Sequence, residues 1–233
     1  MGTWAHICLV WLKTDPSIGY RGVSAIWVPL DSPGVSRLRF DDLGWRSTER
    51  ASLFFDNVRV PVNYRVGEEG TGFSNAMWTM NVYRTMMAVH LVGVSLQSIE
   101  EAINYAKERK AFGRPILKFD SVSHRLMDSL TKVEAVKLLT YKALWALDVG
   151  KRGAKEAAMA KALAPKVALE ACTNAYLTYG HVAYSTDYPL EKRIRDIYGF
   201  QFADGSVETM RNTLLREIVG GEYLSYRKEF IEE

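Results

Sequence analysis

The chain has 233 residues, 48% hydrophobic and 24% charged, with a formal net charge of +3. A fold of this size buries roughly 70% of its unfolded surface, so no disulfide or metal staple is required, and so small a charge excess excludes the basic footprint of a nucleic-acid binder. The two cysteines, Cys8 in an apolar run and Cys172 in a helical one, read as reduced, buried thiols.

The opening MGTWAHICLVWLKTD meets Lys13 before an apolar run could span a bilayer. No signal peptide or membrane partner is read from it, and the expected location is cytoplasmic. The runs WAHICLVWL, VSAIWVPL, VSRLRF and ASLFFDNVRV follow, separated by Asp15-Pro16, Gly19 and turn residues at 31–34 and 42–44. They predict about four antiparallel strands, too few to close on themselves. The glycine-rich VGEEGTGF at 66–73 reads as a flexible link and domain boundary. It divides a partial β-domain, residues 1–69, from a helical domain, residues 70–233.

Helical periodicity then continues almost to the end. Long helices are predicted over residues 73–111, 121–150 and 154–179, the last with a kink at Pro165, and shorter ones over 190–198 and 207–219. Asp120 stands where an N-cap belongs. The fold class is α+β and mainly α: a partial antiparallel β-domain followed by an up-and-down four-helix bundle.

Metal chemistry has no foothold, because His6, His90, His124 and His181 lack ligand spacing and no CxxC or HExxH occurs. GEEGTGF lacks both the P-loop lysine and the dinucleotide glycine order. Three other segments carry more. ERKAFGRPI at 108–116 reads by itself as a basic helix end with Gly113 as C-cap, or as an arginine fork at Arg109 offered to a phosphate. YSTDYPLEKRIRD at 184–196 reads as a proline-started, salt-bridged helix. In FADGSVETMR at 202–211, Asp204-Gly205-Ser206 is a tight turn or holds a carboxylate base.

Taken in register, these segments resemble the acyl-CoA dehydrogenase family, whose motifs have the forms E-R-x-x-F-G, G-G-x-G-Y/F-x-x-E/D-Y-P-x-E-[KR]-x-x-R-D and, about eight residues on, Glu-Gly-Thr. Here they stand as Glu108-Arg109-Lys110-Ala111-Phe112-Gly113, as residues 180–196 and as Asp204-Gly205-Ser206. SLFFDNVRVPVNYRVGEEGTGF looks like the family's strand-to-bundle junction, so the resemblance covers essentially the whole chain. The family fold has an N-terminal helical domain, a middle β-domain and a C-terminal four-helix bundle, and this sequence resembles the last part of the β-domain plus the bundle, a partial subunit.

The resemblance implies an FAD-dependent oxidoreductase of fatty acid metabolism, converting an acyl-CoA thioester to its 2-enoyl product and passing electrons to an electron-transfer flavoprotein. It implies a homo- or hetero-oligomer, dimer or tetramer. Arg109 and Phe112, with Gly113 beside them, would contact the FAD of a neighbouring subunit, and Gly180 would lie near the adenosine of that FAD. Ser206 and Glu208 would border the flavin end. Arg84 takes the family's arginine position near the acyl-CoA, with Asn81 one turn earlier on the same helix face and Gly205 following the base.

Asp204 falls at the catalytic glutamate position and would take the α-proton while the β-hydrogen leaves as hydride. Such a base works best where its charged form is poorly solvated. The family's alternative base position is here Tyr83, and a phenol of pKa about 10 is a poor base near neutrality. The sequence departs from the family at Gly180-His181-Val182-Ala183, at Leu177 and at Ala111 and Asp120. These departures leave open a non-catalytic paralogue, or a helical interaction subunit pairing with an active chain.

Overall fold

A computed structural model describes residues 1–225. By its contacts the chain divides into two units, Met1–Met80 and Asn81 onward. In the first unit, β1 (Ile7–Lys13) pairs antiparallel with β2 (Val23–Pro29) in the register Ile7↔Pro29 to Lys13↔Val23. β3 (Val35–Arg39) and β4 (Ala51–Phe55) form a separate two-stranded ribbon. All four expected strands are present, in two sheets. The fourth run stops pairing at Phe55, and Asn57 takes a φ of 50°. A fifth strand, β5 (Arg65–Val66), joins the far edge of β2 through Ala25 and Ile26.

The segment expected to be a flexible link is a packed junction. The Gly70 amide donates to Ser24 Oγ at 2.9 Å. At Gly72, the first residue of α1 (Gly72–Glu108), an added Cβ would sit 2.6 Å from the Ser24 carbonyl carbon. Only a glycine lets the helix start against the β2 backbone this closely.

The second unit is built on three long helices: the body of α1, α2 (Asp120–Asp148) and α3 (Ala154–Tyr179). Short links force neighbouring helices to run antiparallel. The buried face of α3 is mostly alanine, from Ala154 through Ala157, Ala158, Ala164, Ala168 and Ala171 to Ala175, which allows close helix approach. The helix runs through Pro165, which cannot donate to the Lys161 carbonyl one turn back. Two shorter helices complete the unit, α4 (Leu190–Gly199) and α5 (Val207–Ile218).

Two expectations near the α1–α2 link are corrected. α1 ends at Glu108, and Lys110–Ala111 (β6) then pairs with Arg114–Pro115 (β7). Phe112 and Gly113 form the two-residue turn with φ of 52° and 76°, the left-handed pair of a type I′ hairpin. Gly113 is therefore a hairpin residue and does not cap the helix. Asp120 lies inside the first turn of α2, whose N-cap is Phe119, without a side-chain capping bond. The carboxylate there favours the helix dipole without capping it.

At this end of the bundle the C-termini of α1 and α3 meet. The Tyr105 and Tyr179 rings stack at 4.1 Å, and Ala102, Leu126, Ala175, Ala183 and Leu190 form a buried cluster. α4 is tied on by Arg193, whose guanidinium makes a two-pronged pair with Glu101 at 2.6 and 2.9 Å. That pair holds the Glu101 carboxyl below its usual range.

Candidate active site

The segment between α4 and α5 is set by its own backbone and by two cations from other helices. Gly199 accepts from the Phe202 and Ala203 amides, and Val207 N donates to the Gln201 carbonyl at 3.2 Å. Ser206 is the N-cap of α5, its Oγ accepting from Thr209 N at 3.2 Å. Asp204 adopts a left-handed φ of 51° and Gly205 one of 101°. A Cβ on Gly205 would lie 3.0 Å from Met210 Cε and 3.4 Å from Arg84 Nη2.

Arg84, on α1 and buried, donates from Nε to the Asp204 backbone oxygen at 3.0 Å. Burial pushes its pKa down, the Asp204 charge opposes that, and Arg216 adds to it. Lys161, on α3 and fully buried, donates from Nζ to the Phe200 carbonyl at 2.6 Å. Burial likewise lowers the lysine's pKa, with Asp204 the largest opposing charge. Asp204 itself is half-buried. Among the described residues, no hydrogen bond or ion pair engages its carboxylate. Asn81, one turn before Arg84, is buried and donates to the Arg152 carbonyl at 3.2 Å, tying α1 to the segment after α2. Tyr83 is exposed.

A groove of about 580 Å³ opens beside the segment, lined by Lys166 and Glu170 of α3, by Phe202, and by Val207, Glu208 and Arg211 of α5. Glu208 is exposed and meets Arg211 at 3.4 Å.

The structure thus brings Asn81, Arg84, Asp204, Gly205, Ser206 and Glu208 to one end of the bundle. Arg109, Phe112, Gly113 and Gly180 lie at the other. Glu108, the last residue of α1, is 24 residues beyond Arg84, about 36 Å along the helix axis; Arg109 follows it directly, and Gly180 follows Tyr179, which stacks on Tyr105. There Arg109 is exposed, Phe112 is 95% exposed, and a Cβ on Gly180, at φ 67°, would meet no atom within 4 Å. Sequence reasoning missed Lys161. The available signal was one lysine on the buried stripe Ala154-Ala157-Ala158-Lys161-Ala164-Pro165-Ala168, where every other residue is apolar.

The family model for the C-terminal domain of acyl-CoA dehydrogenases matches residues 70–219. The chain belongs to the acyl-CoA dehydrogenase family. Among its relatives, subunit CarC of the caffeyl-CoA reductase–Etf complex of Acetobacterium woodii is 38% identical, over 90% of this chain and 56% of that protein. The human mitochondrial short-chain specific acyl-CoA dehydrogenase is 33% identical over 96% of this chain and 53% of its own length. Among solved structures, butyryl-CoA dehydrogenase from Megasphaera elsdenii superposes with a TM-score of 0.86 at 33% identity, covering 91% of this chain and 56% of that one. The chain spans just over half the length of the relatives it matches. No helix among the described residues is long and apolar enough to cross a membrane.

Proposed function

We propose that this chain supplies the bundle half of an FAD-dependent acyl-CoA dehydrogenase site, with Asp204 as the base. The observation that carries the reading is the division of labour at Asp204. Its backbone oxygen is fixed by Arg84 at 3.0 Å while its carboxylate remains uncommitted among the described residues. A base must hold its position yet keep a lone pair for the substrate. Asp204 would take the α-proton of an acyl thioester onto a carboxylate oxygen as the β-hydrogen departs as hydride, leaving the 2-enoyl thioester. Bound FAD would supply the hydride acceptor. Arg84, Asn81 and Gly205 frame the acyl-CoA side in this reading, with residues 1–69 forming the end of the β-domain and residues 70–233 the bundle domain.

The residues at both ends suit that cofactor. Glu208 lines the groove, and Ser206 caps α5 just before it. At the far end, exposed Arg109 offers a planar cation to phosphate oxygens, Phe112 a bare aromatic face, and Gly180 an open backbone. A separation of about 36 Å along α1 is too great for one dinucleotide to touch both sets on one bundle. Each flavin would therefore take Arg109, Phe112, Gly113 and Gly180 from a second subunit, which makes a dimer or tetramer part of the reading. An electron-transfer flavoprotein is the proposed electron acceptor, in keeping with a relative that is a subunit of an Etf complex. Fatty acid metabolism is the proposed setting. Free Cys8 and Cys172 support a reducing compartment such as the cytoplasm.

The test is spectroscopic. The FAD-loaded protein, mixed anaerobically with a panel of acyl-CoAs, is expected to lose its flavin absorption with at least one of them, and Asp204→Asn is expected to abolish that bleaching while retaining the yellow colour. Bleaching at the wild-type rate in the Asn variant would remove Asp204 from the role.

A further inference from the structure

Lys161 is the largest fully buried side chain of the described residues. A lysine is almost never fully buried without an ionic partner. Here no carboxylate lies within ion-pair distance among the described residues, and Nζ meets one neutral acceptor, the Phe200 carbonyl at 2.6 Å. Phe200 is the residue after α4, four positions before Asp204. Its own amide donates to Ile197, and its ring packs on His90 of α1 at 5.4 Å. The segment from Phe200 to Ser206 is consequently gripped at two carbonyls, by Lys161 from α3 and by Arg84 from α1. Between the two grips the backbone passes into the left-handed region at Asp204, a conformation that carries a steric cost for any residue with a Cβ. A segment of this kind relaxes unless its surroundings over-determine it.

We propose that Lys161 is a positioning residue for Asp204. By donating to the Phe200 carbonyl it fixes the entry to the left-handed turn, and so fixes where the Asp204 carboxylate points. The inference rests on the reading of Asp204 as the base, but its structural half stands without it. The charge of the ammonium is also placed for this task. Of the charged groups that act on Lys161, Asp204 and Glu208 favour its charged form, while Arg84 and burial oppose it. The same lysine that holds the backbone thus sits in the field of the carboxylate it positions.

The experiment is amide hydrogen exchange on the full chain, comparing wild type, Lys161→Met, Lys161→Gln and Asp204→Asn. Met keeps most of the stem volume without a donor. Gln keeps a donor one atom short of the acceptor and serves where Met does not fold. In whichever variant folds, amides 201–207 are expected to exchange at least about tenfold faster, as for loss of one charge-assisted hydrogen bond, with α1, α2 and α3 unchanged. Exchange that stays at wild-type rates in this segment, or that rises uniformly through the bundle, overturns the proposal.

Asp204→Asn, which leaves both carbonyl grips intact, is expected to keep wild-type protection there. Should the Asn variant keep both that protection and its bleaching by acyl-CoA, the base assignment fails and the Lys161 anchor survives. Should Lys161→Met keep its protection while Asp204→Asn loses bleaching, the anchor fails and the base survives. With FAD bound, Lys161→Met is further expected to slow bleaching about tenfold or more, since small misplacements of a reacting group are costly. The half-saturating acyl-CoA concentration should stay unchanged, because Lys161 touches no substrate-facing surface.

Discussion

Gly205→Ala is the sharpest test of how the turn at Asp204 is held. The wild-type φ of 101° lies where L-residues rarely go, and occupying such a region costs about 1–3 kcal/mol. Steric contact adds modestly to this, because the new Cβ would meet Met210 Cε at 3.0 Å and that fully buried thioether end would have to shift by a few tenths of an ångström. Arg84 Nη2 at 3.4 Å is less free to move, since the same guanidinium is bonded through Nε to the Asp204 oxygen. The expected loss is therefore about 1–3 kcal/mol, roughly 5- to 150-fold in the folding equilibrium, read as a lower urea midpoint at unchanged slope. Gly113→Ala is the control. It sits at φ 76° with no atom within 4 Å of its added Cβ, so only a left-handed penalty of about 1–2 kcal/mol applies. Gly205→Ala should also slow flavin bleaching by acyl-CoA. A Gly205→Ala protein as stable as wild type would refute the view that this turn is strained and held in place.

Phe112→Gly should raise stability by about 0.5–1 kcal/mol, because a 95% exposed ring at φ 52° contributes little packing and its Cβ is strained. The same change should weaken FAD retention in gel filtration, and undiminished retention would take Phe112 out of the cofactor site. Glu101→Gln should flatten part of the acid limb of stability. Arg193 lowers the Glu101 pKa, so the pair's contribution is complete above the unfolded value of about 4.3 and is lost as pH falls through the lower folded value. Its size is about 1–2 kcal/mol, the low side for charged hydrogen bonds because the Glu101 side chain is 30% exposed; identical acid limbs in the two proteins would count against it. Lys161 should give the opposite limb. Burial depresses its pKa, so the folded state binds fewer protons than the unfolded one between the folded value and about 10.4, and stability should rise with pH through that window. Lys161→Met should remove the rise, and a flat wild-type profile would show that the buried ammonium costs nothing.

The long helices were legible because their apolar period persists for many turns, and their starts and stops were legible to within a few residues. The errors fell where a residue type misstates its backbone. Phe112 is a poor sign of a left-handed turn, so the hairpin at residues 110–115 read as helix with a glycine cap. Asp120 has the chemistry of an N-cap, but the chain becomes helical one residue earlier than that role requires. Gly70 and Gly72 looked like slack and instead mark close packing on β2, a distinction invisible without the partner strand. At the candidate site, local pattern could offer Asp204 only as a turn or a base. Its two anchors lie far away in sequence, Arg84 by 120 residues from Asp204 and Lys161 by 39 from Phe200. The resemblance supplied Arg84, whereas Lys161 required the fold, because a lysine in an alanine helix reads as solvated until the helix face is known to be buried.

The placement of these two cations follows from what the acid is asked to do. A guanidinium or ammonium bonded directly to a carboxylate stabilises the anion and weakens it as a base. Bonded to backbone carbonyls on either side of the turn, the same cations locate the residue and leave its oxygens unengaged. The need is greater for aspartate than for glutamate. With one methylene fewer, the side chain has one torsion fewer through which to adjust, so the carboxylate goes where the backbone sends it. An aspartate base therefore requires a more firmly held backbone than a glutamate base, and the grips at Phe200 and Asp204, together with the Ser206 cap on α5, provide it from three helices.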